Sequence, residues 1–285
     1  MSFIEALILG LIQGLTEFLP ISSSAHLRIV GEILPSATDP GATFTAITQL
    51  GTETAVIIYF WRDISRIIRT WFAHLRPSNN IPKNDPDVRL GWLIIIGTLP
   101  IVAIGYLAQE TIRTTFRSLW LVAIVLIVFG LILGLADALS KRTKHMDQMT
   151  YGHGITIGLA QVLALIPGVS RSGATTTAGL ALGYTRPATA RFAFLLAIPA
   201  VFGSGLYELM HGITCNPATE TCPPEIYNAW ETAAATGVAF LVGLAVIAFL
   251  MNYISKKSFL PFVIYRIVLG TALLILLSTG ALQPL

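Results

Sequence analysis

The sequence predicts an all-α polytopic membrane protein, and three observations lead to that fold class. Only 12% of the 285 residues are charged while 54% are hydrophobic, and the mean hydropathy is +0.73. A soluble domain carries about 25% charged residues, so this composition excludes a water-soluble enzyme and a disordered chain. The net charge of +3 is spread between apolar runs instead of forming one basic patch, which argues against a nucleic-acid partner. The apolar runs themselves have the length of membrane spans.

The first element, residues 3–40, is predicted to be a re-entrant helical hairpin. Its apolar stretch stops at Pro20 and is followed by three serines and His26. This stretch is shorter than the roughly 20 apolar residues that a spanning helix needs. A proline break followed by polar residues is typical of a broken helix whose irregular backbone is buried in protein or lines a cavity.

Six longer apolar stretches and a second interrupted segment follow. The second interrupted segment, residues 153–185, stops at Pro167 and continues with Gly168, so it is also predicted to be a re-entrant hairpin. Each of the six longer stretches can cross a hydrocarbon core of about 30 Å as a helix. The six predicted spans are 44–61, 90–108, 118–139, 188–210, 233–254 and 260–280.

The distribution of basic residues between the spans predicts the orientation of the chain. Residues 62–89 contain six Lys and Arg, residues 140–152 contain three, and residues 252–259 contain two, whereas residues 211–232 contain none and three Glu. Basic loops stay on the cytoplasmic side, so the first three segments are expected inside and the acidic one outside. Alternation through six spans then places both chain termini outside.

The two halves are predicted to form an inverted repeat within one membrane domain. When the interrupted segments are aligned without gaps, Gln13 matches Gln161 and Ser22 matches Ser170. The first repeat is residues 1–139 and the second is residues 140–285, each with one hairpin and three spans of opposite orientation. Because broken helices of inverted repeats meet near the membrane centre, both proline-broken tips are expected to line one polar pocket.

The first tip carries an intramembrane carboxylate. Gln13 and Glu17 are four residues apart and therefore lie on one helical face. A carboxylate within a membrane segment is costly and indicates function by default, although Glu17 could instead reach an interface or cap a neighbouring helix.

Three hydroxyls and an imidazole follow Pro20. Ser22, Ser23 and Ser24 fit a helix N-cap cluster, and a helix N-terminus also suits a phosphate. Ser22 and Ser23 are both at helical spacing from His26. A hydroxyl, an imidazole and the carboxylate of Glu17 are the groups of a nucleophile, a base and an orienting residue.

The second tip carries a permanent positive charge. Arg171 presents a planar fork that matches phosphate oxygens, and Ser170, Ser172 and Thr175 supply hydroxyl donors around it. The alternative partner of Arg171 is Glu17, in a structural ion pair between the two tips. Both pairings can hold in turn, with the ion pair present when the site is empty.

Two cysteines lie in the acidic segment that is predicted to be outside. Cys215 and Cys222 are the only cysteines of the chain. In an oxidising compartment we expect them to form a disulfide; the alternative is two free thiols.

The two tips resemble the signature motifs of the undecaprenyl-diphosphate phosphatase family, which is linked to bacitracin resistance. The matching segments are Gln-Gly-Leu-Thr-Glu-Phe-Leu-Pro-Ile-Ser-Ser-Ser-Ala-His at 13–26 and Pro-Gly-Val-Ser-Arg-Ser-Gly-Ala-Thr at 167–175. The resemblance extends over the whole chain and includes residues 194–199 and 265–266.

The resemblance implies a bacterial inner-membrane enzyme that hydrolyses the C55 isoprenoid diphosphate to its monophosphate. It also implies a homodimer and a site open to the outer side. The family's His falls on His26, its hydroxyls on Ser22 and Ser23, and its diphosphate-binding Arg on Arg171. The nucleophile is Ser23, which we favour, or His26, or a water molecule.

A divalent cation is also implied by the resemblance. The family motif has Glu or Gln, three residues, and then Glu, which are Gln13 and Glu17 here. Mg²⁺ or Ca²⁺ is therefore expected near Glu17, with Gln13 as a weaker, neutral ligand.

A transporter is the alternative from another functional class. Inverted repeats with broken helices are typical of secondary transporters. In this alternative the same pocket binds a polyprenyl phosphate and flips it across the membrane.

Overall fold

The all-α prediction is confirmed by the computed structural model. It describes residues 3–35, 39–76, 81–108, 112, 116, 118–214 and 226–282. Within these ranges the chain forms eleven α-helices and no β-strand. In chain order they are α1 Phe3–Thr16, α2 Ser23–Ile33, α3 Gly41–Tyr59, α4 Trp61–His74, α5 Pro86–Leu107, α6 Leu119–Leu139, α7 Tyr151–Val162, α8 Arg171–Ala181, α9 Arg186–Thr214, α10 Ala229–Ile254 and α11 Leu260–Ser278.

Five of the described helices are long and apolar enough to cross a membrane: α5, α6, α9, α10 and α11. The remaining predicted span corresponds to α3, which has 19 residues but is too polar to be one of the five. Its polar side chains are buried against other helices, since Thr48 and Thr52 are fully buried and Glu53 is 1% exposed. A helix that is surrounded by protein has no lipid to face along those residues.

Helix α4 was not predicted, because its residues were assigned to a basic loop. It is strongly amphipathic, with Ile67 buried and Trp61 and Phe72 exposed. Trp71 packs against α5 at Gly91, and Arg66 forms an ion pair with Asp87. The first part of the basic segment therefore forms a helix, α4, that lies against the beginning of α5.

Small residues let several helices approach closely, and the contacts define their relative directions. A Cβ on Gly10 would lie 2.4 Å from the carbonyl oxygen of Ala235, and a Cβ on Gly158 would lie 2.6 Å from Cα of Gly97. Such glycine contacts are common where membrane helices pack. The contacting pairs are Gly10–Ala235 and Gly14–Ala239 for α1 with α10, Leu93–Gly154 and Gly97–Gly158 for α5 with α7, and Ala123–Gly270 and Gly134–Val263 for α6 with α11.

These pairs show that α1 is parallel to α10 and α5 is parallel to α7, whereas α6 and α11 are antiparallel. Helix α3 is antiparallel to α9, since Leu50 contacts Gly205 and Phe60 packs against Phe194. Gly51 contacts Thr236 of α10.

Both interrupted segments are broken at the positions that the sequence predicts. Helix α1 ends at Thr16 and α2 begins at Ser23, while α7 ends at Val162 and α8 begins at Arg171. The aligned serines Ser22 and Ser170 have the same unusual backbone, with φ angles of 74° and 73°. Each caps the helix that follows, as Ser22 accepts from Ala25 N at 3.4 Å and Ser170 from Gly173 N at 3.1 Å.

Candidate active site

The two broken tips are in direct contact, as the sequence predicts. The backbone N–H of Gly168 donates to the Ser22 hydroxyl at 3.1 Å. The Ser172 hydroxyl donates to the carbonyl of Leu19 at 3.2 Å. The two breaks, about 150 residues apart in sequence, therefore form one site.

Arg266 of α11 holds both tips by their carbonyl oxygens. Its guanidinium donates to Pro20 O at 3.0 Å in the first tip, and to Val169 O at 3.0 Å and Gly168 O at 2.7 Å in the second. A fourth bond runs to Leu126 O at 3.1 Å. The residue is fully buried, although it lies within the predicted span 260–280. A guanidinium has five donors in a fixed plane, which suits several carbonyls at once.

Glu17 is the centre of the polar cluster. Its Oε2 accepts from Gln13 Nε2 at 2.7 Å and from the Ser23 hydroxyl at 2.6 Å, and its Oε1 is paired with Arg171. Glu17 and Gln13 are buried. Of the two partners considered for Arg171, a phosphate and Glu17, the structure has Glu17, in an ion pair between the two tips.

A second carboxylate, on α3, approaches the same arginine. Glu53 Oε2 lies 3.9 Å from Arg171 Nη2, and the residue is 1% exposed. Its Oε1 has no hydrogen-bond partner among the described residues, and the same is true of Gln13 Oε1. Glu53 lies within the predicted span 44–61, and its place in the site becomes visible only in the folded chain.

His26 lies beside this cluster but is not hydrogen-bonded to it. Its Nδ1 is 2.7 Å from the carbonyl of Ser22, and its Nε2 is 2.7 Å from the hydroxyl of Tyr265. A carbonyl only accepts, so Nδ1 carries the proton and Tyr265 donates to Nε2. Tyr265 also stacks on the imidazole, with ring centroids 5.5 Å apart. The sequence predicts a hydroxyl, an imidazole and a carboxylate acting together. In the structure the Ser23 hydroxyl contacts Glu17 directly, and the imidazole of His26 does not lie between them.

The hydroxyls of the second tip are held close to their own backbone. Ser170 and Ser172 are 3.1 Å apart, and Thr175 donates to the carbonyl of Arg171 at 2.7 Å. Thr175 is fully buried. Only Ser170 and Arg171 of this tip line the cavity described next.

A cavity of about 490 Å³ opens from the cluster between α3, α5 and α9. Its polar end is formed by Glu17, the three serines of the first tip, Ser170 and Arg171. Its other walls are largely apolar, with Ala46, Ile101, Val102, Leu165 and Ala200. The exposed side chains of Tyr106 and Tyr207 stand at its rim. A ligand with a charged head and an apolar chain fits this division.

The model of the family described as bacitracin resistance protein BacA matches residues 6–272. The chain belongs to this family. The matched range includes both tips, nine of the eleven described helices in full, and most of α1 and α11. With five membrane-length helices, this member of the BacA family is a multi-pass membrane protein.

Curated relatives of this BacA-family chain share its whole length. A protein of Clavibacter michiganensis subsp. michiganensis is 62% identical over 282 residues, covering 99% of both chains. One of Micrococcus luteus is 61% identical over 283 residues, covering 99% of this chain and 100% of its own. Both are named undecaprenyl-diphosphatase. A protein of Agrobacterium fabrum named undecaprenyl-diphosphatase 2 is 53% identical over 286 residues, covering 99% of this chain and 98% of its own.

The oxygen atoms around Glu17 fit the divalent cation that the resemblance implies. Mg²⁺ and Ca²⁺ prefer carboxylate and carbonyl oxygens, and the unpartnered buried oxygens of Gln13 and Glu53 lack a donor in the site. No group of three or more acidic, His or Cys residues suited to a metal occurs in the described ranges. Any cation must therefore be held by few carboxylates together with neutral oxygens.

Sequence reasoning did not find the roles of two residues at the site of this BacA-family chain, Tyr265 and Arg266. Tyr265 and Arg266 entered the sequence comparison only through the resemblance, and no helical spacing links them to the tips. Their roles appear only when α11 is folded against both breaks. Cys215 and Cys222 lie outside the described residues, so the disulfide stays a prediction.

Proposed function

We propose that this chain hydrolyses undecaprenyl diphosphate to undecaprenyl phosphate and inorganic phosphate. The observation that carries the proposal is the contact of Ser23 and Arg171 with one carboxylate, Glu17, at one end of a cavity whose lining is largely apolar. Membership of the BacA family and the names of the relatives support it. The same names favour a hydrolase over the transporter alternative.

Arg171 and the hydroxyls of Ser22 and Ser170 bind the diphosphate in this proposal. The guanidinium leaves Glu17 for the phosphate oxygens, because a fork of donors matches them bidentately. Ser22 and Ser170 add hydroxyls at the cavity wall, while Ser172 and Thr175 fix the backbone of the second tip. Charge neutralisation and positioning are the main contributions to phosphoryl transfer.

Ser23 is the proposed nucleophile and Glu17 its base. The Ser23 hydroxyl already donates to Glu17, so its proton passes to the carboxylate as the oxygen attacks the terminal phosphorus. The bond from that phosphorus to the bridging oxygen breaks and undecaprenyl phosphate leaves. Water then releases phosphate from Ser23. His26, held by Tyr265, is the alternative nucleophile, and direct attack by water is the third possibility.

A divalent cation, Mg²⁺ or Ca²⁺, is proposed to bind at Glu17 with Gln13. When bound, it polarises the phosphoryl group and offsets its negative charge. Glu17 holds Ser23 and Gln13 in place around that position.

We further propose that α3 is a sixth span and that the halves are an inverted repeat. Gly51 lies against Thr236 and Thr52 against Gly243, so α3 and α10 run parallel. In this proposal residues 255–259 reverse the chain between α10 and α11. Leu196 contacts Gly97, and residues 101–106 and 200–207 line the cavity further along, so α5 and α9 are parallel. Helices α1, α3, α6 and α10 then run one way and α5, α7, α9 and α11 the other. Each helix of the first half, in the order α1, α3, α5, α6, therefore runs opposite to its counterpart in the second half, in the order α7, α9, α10, α11.

The site is proposed to open to the outer side of a bacterial inner membrane. The cavity is lined by the start of α3 and the ends of α5 and α9, which are the helix ends remote from the basic segment 62–89. The lipid tail leaves through the rim at Tyr106 and Tyr207 and lies among membrane lipids. Both termini are then outside, and a homodimer is the assembly that the resemblance implies.

Release of inorganic phosphate from a polyprenyl diphosphate by the purified protein tests this function. We expect release with a divalent cation, loss with EDTA, and loss in Glu17→Gln and Arg171→Ala. Normal rates in both variants would refute the site, and no release by the unmodified protein would refute the function.

A further inference from the structure

We propose that Glu53 is the second carboxylate of the cation site and acts there together with Glu17. The inference rests on the proposed function and deepens it. In the family motif, a cation can be held between two carboxylates when position 13 is Glu. This chain has Gln13, and the missing charge is supplied from α3.

The position of Glu53 places it in the cluster. Its Oε2 is 3.9 Å from Arg171 Nη2, and the same nitrogen is paired with Glu17. Glu53 is also close enough to Glu17 for a direct electrostatic interaction. Two carboxylates from different helices therefore converge on one guanidinium.

The unsatisfied oxygens point to a missing ligand. Glu53 Oε1 and Gln13 Oε1 are buried and have no hydrogen-bond partner among the described residues. Leaving a buried acceptor unpaired destabilises the protein, and more so if the acceptor is charged. A hard cation takes oxygen ligands of these kinds, so both oxygens gain a partner when it binds.

The charges of Glu17, Glu53 and Arg171 also favour a bound cation. When Glu17 and Glu53 are both ionised, their two negative charges face the single positive charge of Arg171, and a bound cation supplies the balancing charge. A buried charge is tolerated only when it is paired. With a divalent cation the cluster becomes net positive and Arg171 is free to bind the anionic diphosphate.

Binding of Mn²⁺ alone to the purified protein tests the proposal, with the free ion measured by electron paramagnetic resonance. We expect Glu53→Gln to weaken binding by about tenfold or more, since losing even a residue that orients a ligand costs a metal site on the order of 10- to 100-fold. The double variant Gln13→Glu with Glu53→Gln moves the carboxylate back to position 13, so we expect it to recover most of the affinity.

Glu208→Gln is the matched control. The Glu208 carboxylate also lines the cavity, but it accepts from Thr43 at 2.8 Å. Thr43 is ten residues before Glu53 on α3, or about 15 Å along the helix. We expect this variant to bind Mn²⁺ like the unmodified protein.

Two results would overturn the inference. One is unchanged Mn²⁺ affinity in a Glu53→Gln protein whose thermal unfolding shows that it is folded. The other is a double variant that stays as weak as Glu53→Gln although it is folded. Neither result touches phosphate release by the unmodified protein, which tests the proposed function separately.

Discussion

Glu17 accepts from three side chains at once, and this sharing explains how one residue can serve several steps. Gln13 and Ser23 donate to one oxygen and Arg171 pairs with the other. In the proposed mechanism Arg171 turns to a phosphate, so that the carboxylate loses its ion-pair partner and becomes a better acceptor for the Ser23 proton. Substrate binding thus prepares the base.

Replacing Ser23 separates the nucleophile from its neighbours. We expect Ser23→Ala to lower phosphate release on the order of 10²- to 10⁴-fold, the usual contribution of a positioned proton transfer. Ser24 lines the same cavity, and among the described residues its hydroxyl is hydrogen-bonded only to that of Ser22, at 3.2 Å. Ser24→Ala is therefore the control and should stay close to the normal rate. A normal rate in Ser23→Ala would leave His26 or water as the attacking group.

Two arginines show what a sequence can and cannot say about a single residue. Arg171 lies within a serine-rich break, so its local surroundings predicted a partner in the site. Arg266 lies within an apolar helix, and its four carbonyl partners come from residues at least 97 positions away in the chain. No local pattern encodes such partners, and its burial could not be predicted.

At the scale of elements, α3 shows that a helix packed among the membrane-length helices can be polar. Four of its five threonines donate back to carbonyls of their own helix, as Thr48 does to Phe44 at 2.9 Å, and Thr43 donates to Glu208. Glu53 remains available for the site. Hydropathy predicted this span from its length but could not show that its polar face is the one covered by α9 and α10.

A methyl group at Gly51 would push α3 away from α10. A Cβ there would lie 2.2 Å from the carbonyl oxygen of Thr236, which is backbone and cannot rotate away. We expect Gly51→Ala to cost about 1–3 kcal/mol, as overpacking does, seen as a lower midpoint of thermal unfolding in detergent.

Gly237→Ala on the facing helix is the control for that variant. A Cβ at Gly237 has no heavy atom within 4 Å, and alanine favours a helix over glycine by about 1 kcal/mol. Its midpoint should stay at or above that of the unmodified protein. Equal midpoints for both variants would contradict the close contact of α3 and α10.

At the scale of the molecule, the sequence predicted the helices and the meeting of the tips well, because both depend on local patterns. Pro20 interrupts the first apolar run and Pro167, followed by Gly168, interrupts the second. The two helix breaks lie at these positions. Helix boundaries moved by a few residues, and α4 was missed because its amphipathic pattern lies within a segment judged only by its charge. The arrangement of His26 with Tyr265 depends on packing between α2 and α11, which no single segment contains.

The cysteines test the predicted orientation and the disulfide together. If residues 211–232 are outside and Cys215 is bonded to Cys222, a membrane-impermeant maleimide should label intact cells only after mild reduction. Labelling without reduction would mean free thiols outside. Failure to label after reduction, with labelling in lysed cells, would place the segment on the cytoplasmic side.

The bonds of Arg266 also restrict how the tips can change in length. One side chain on α11 reaches carbonyls at 20 in the first tip and at 168 and 169 in the second. Inserting or deleting a residue in either tip would carry a carbonyl out of reach and shift the guanidinium away from the other tip. The two loops are therefore fixed in length together, although about 150 residues separate them in the chain.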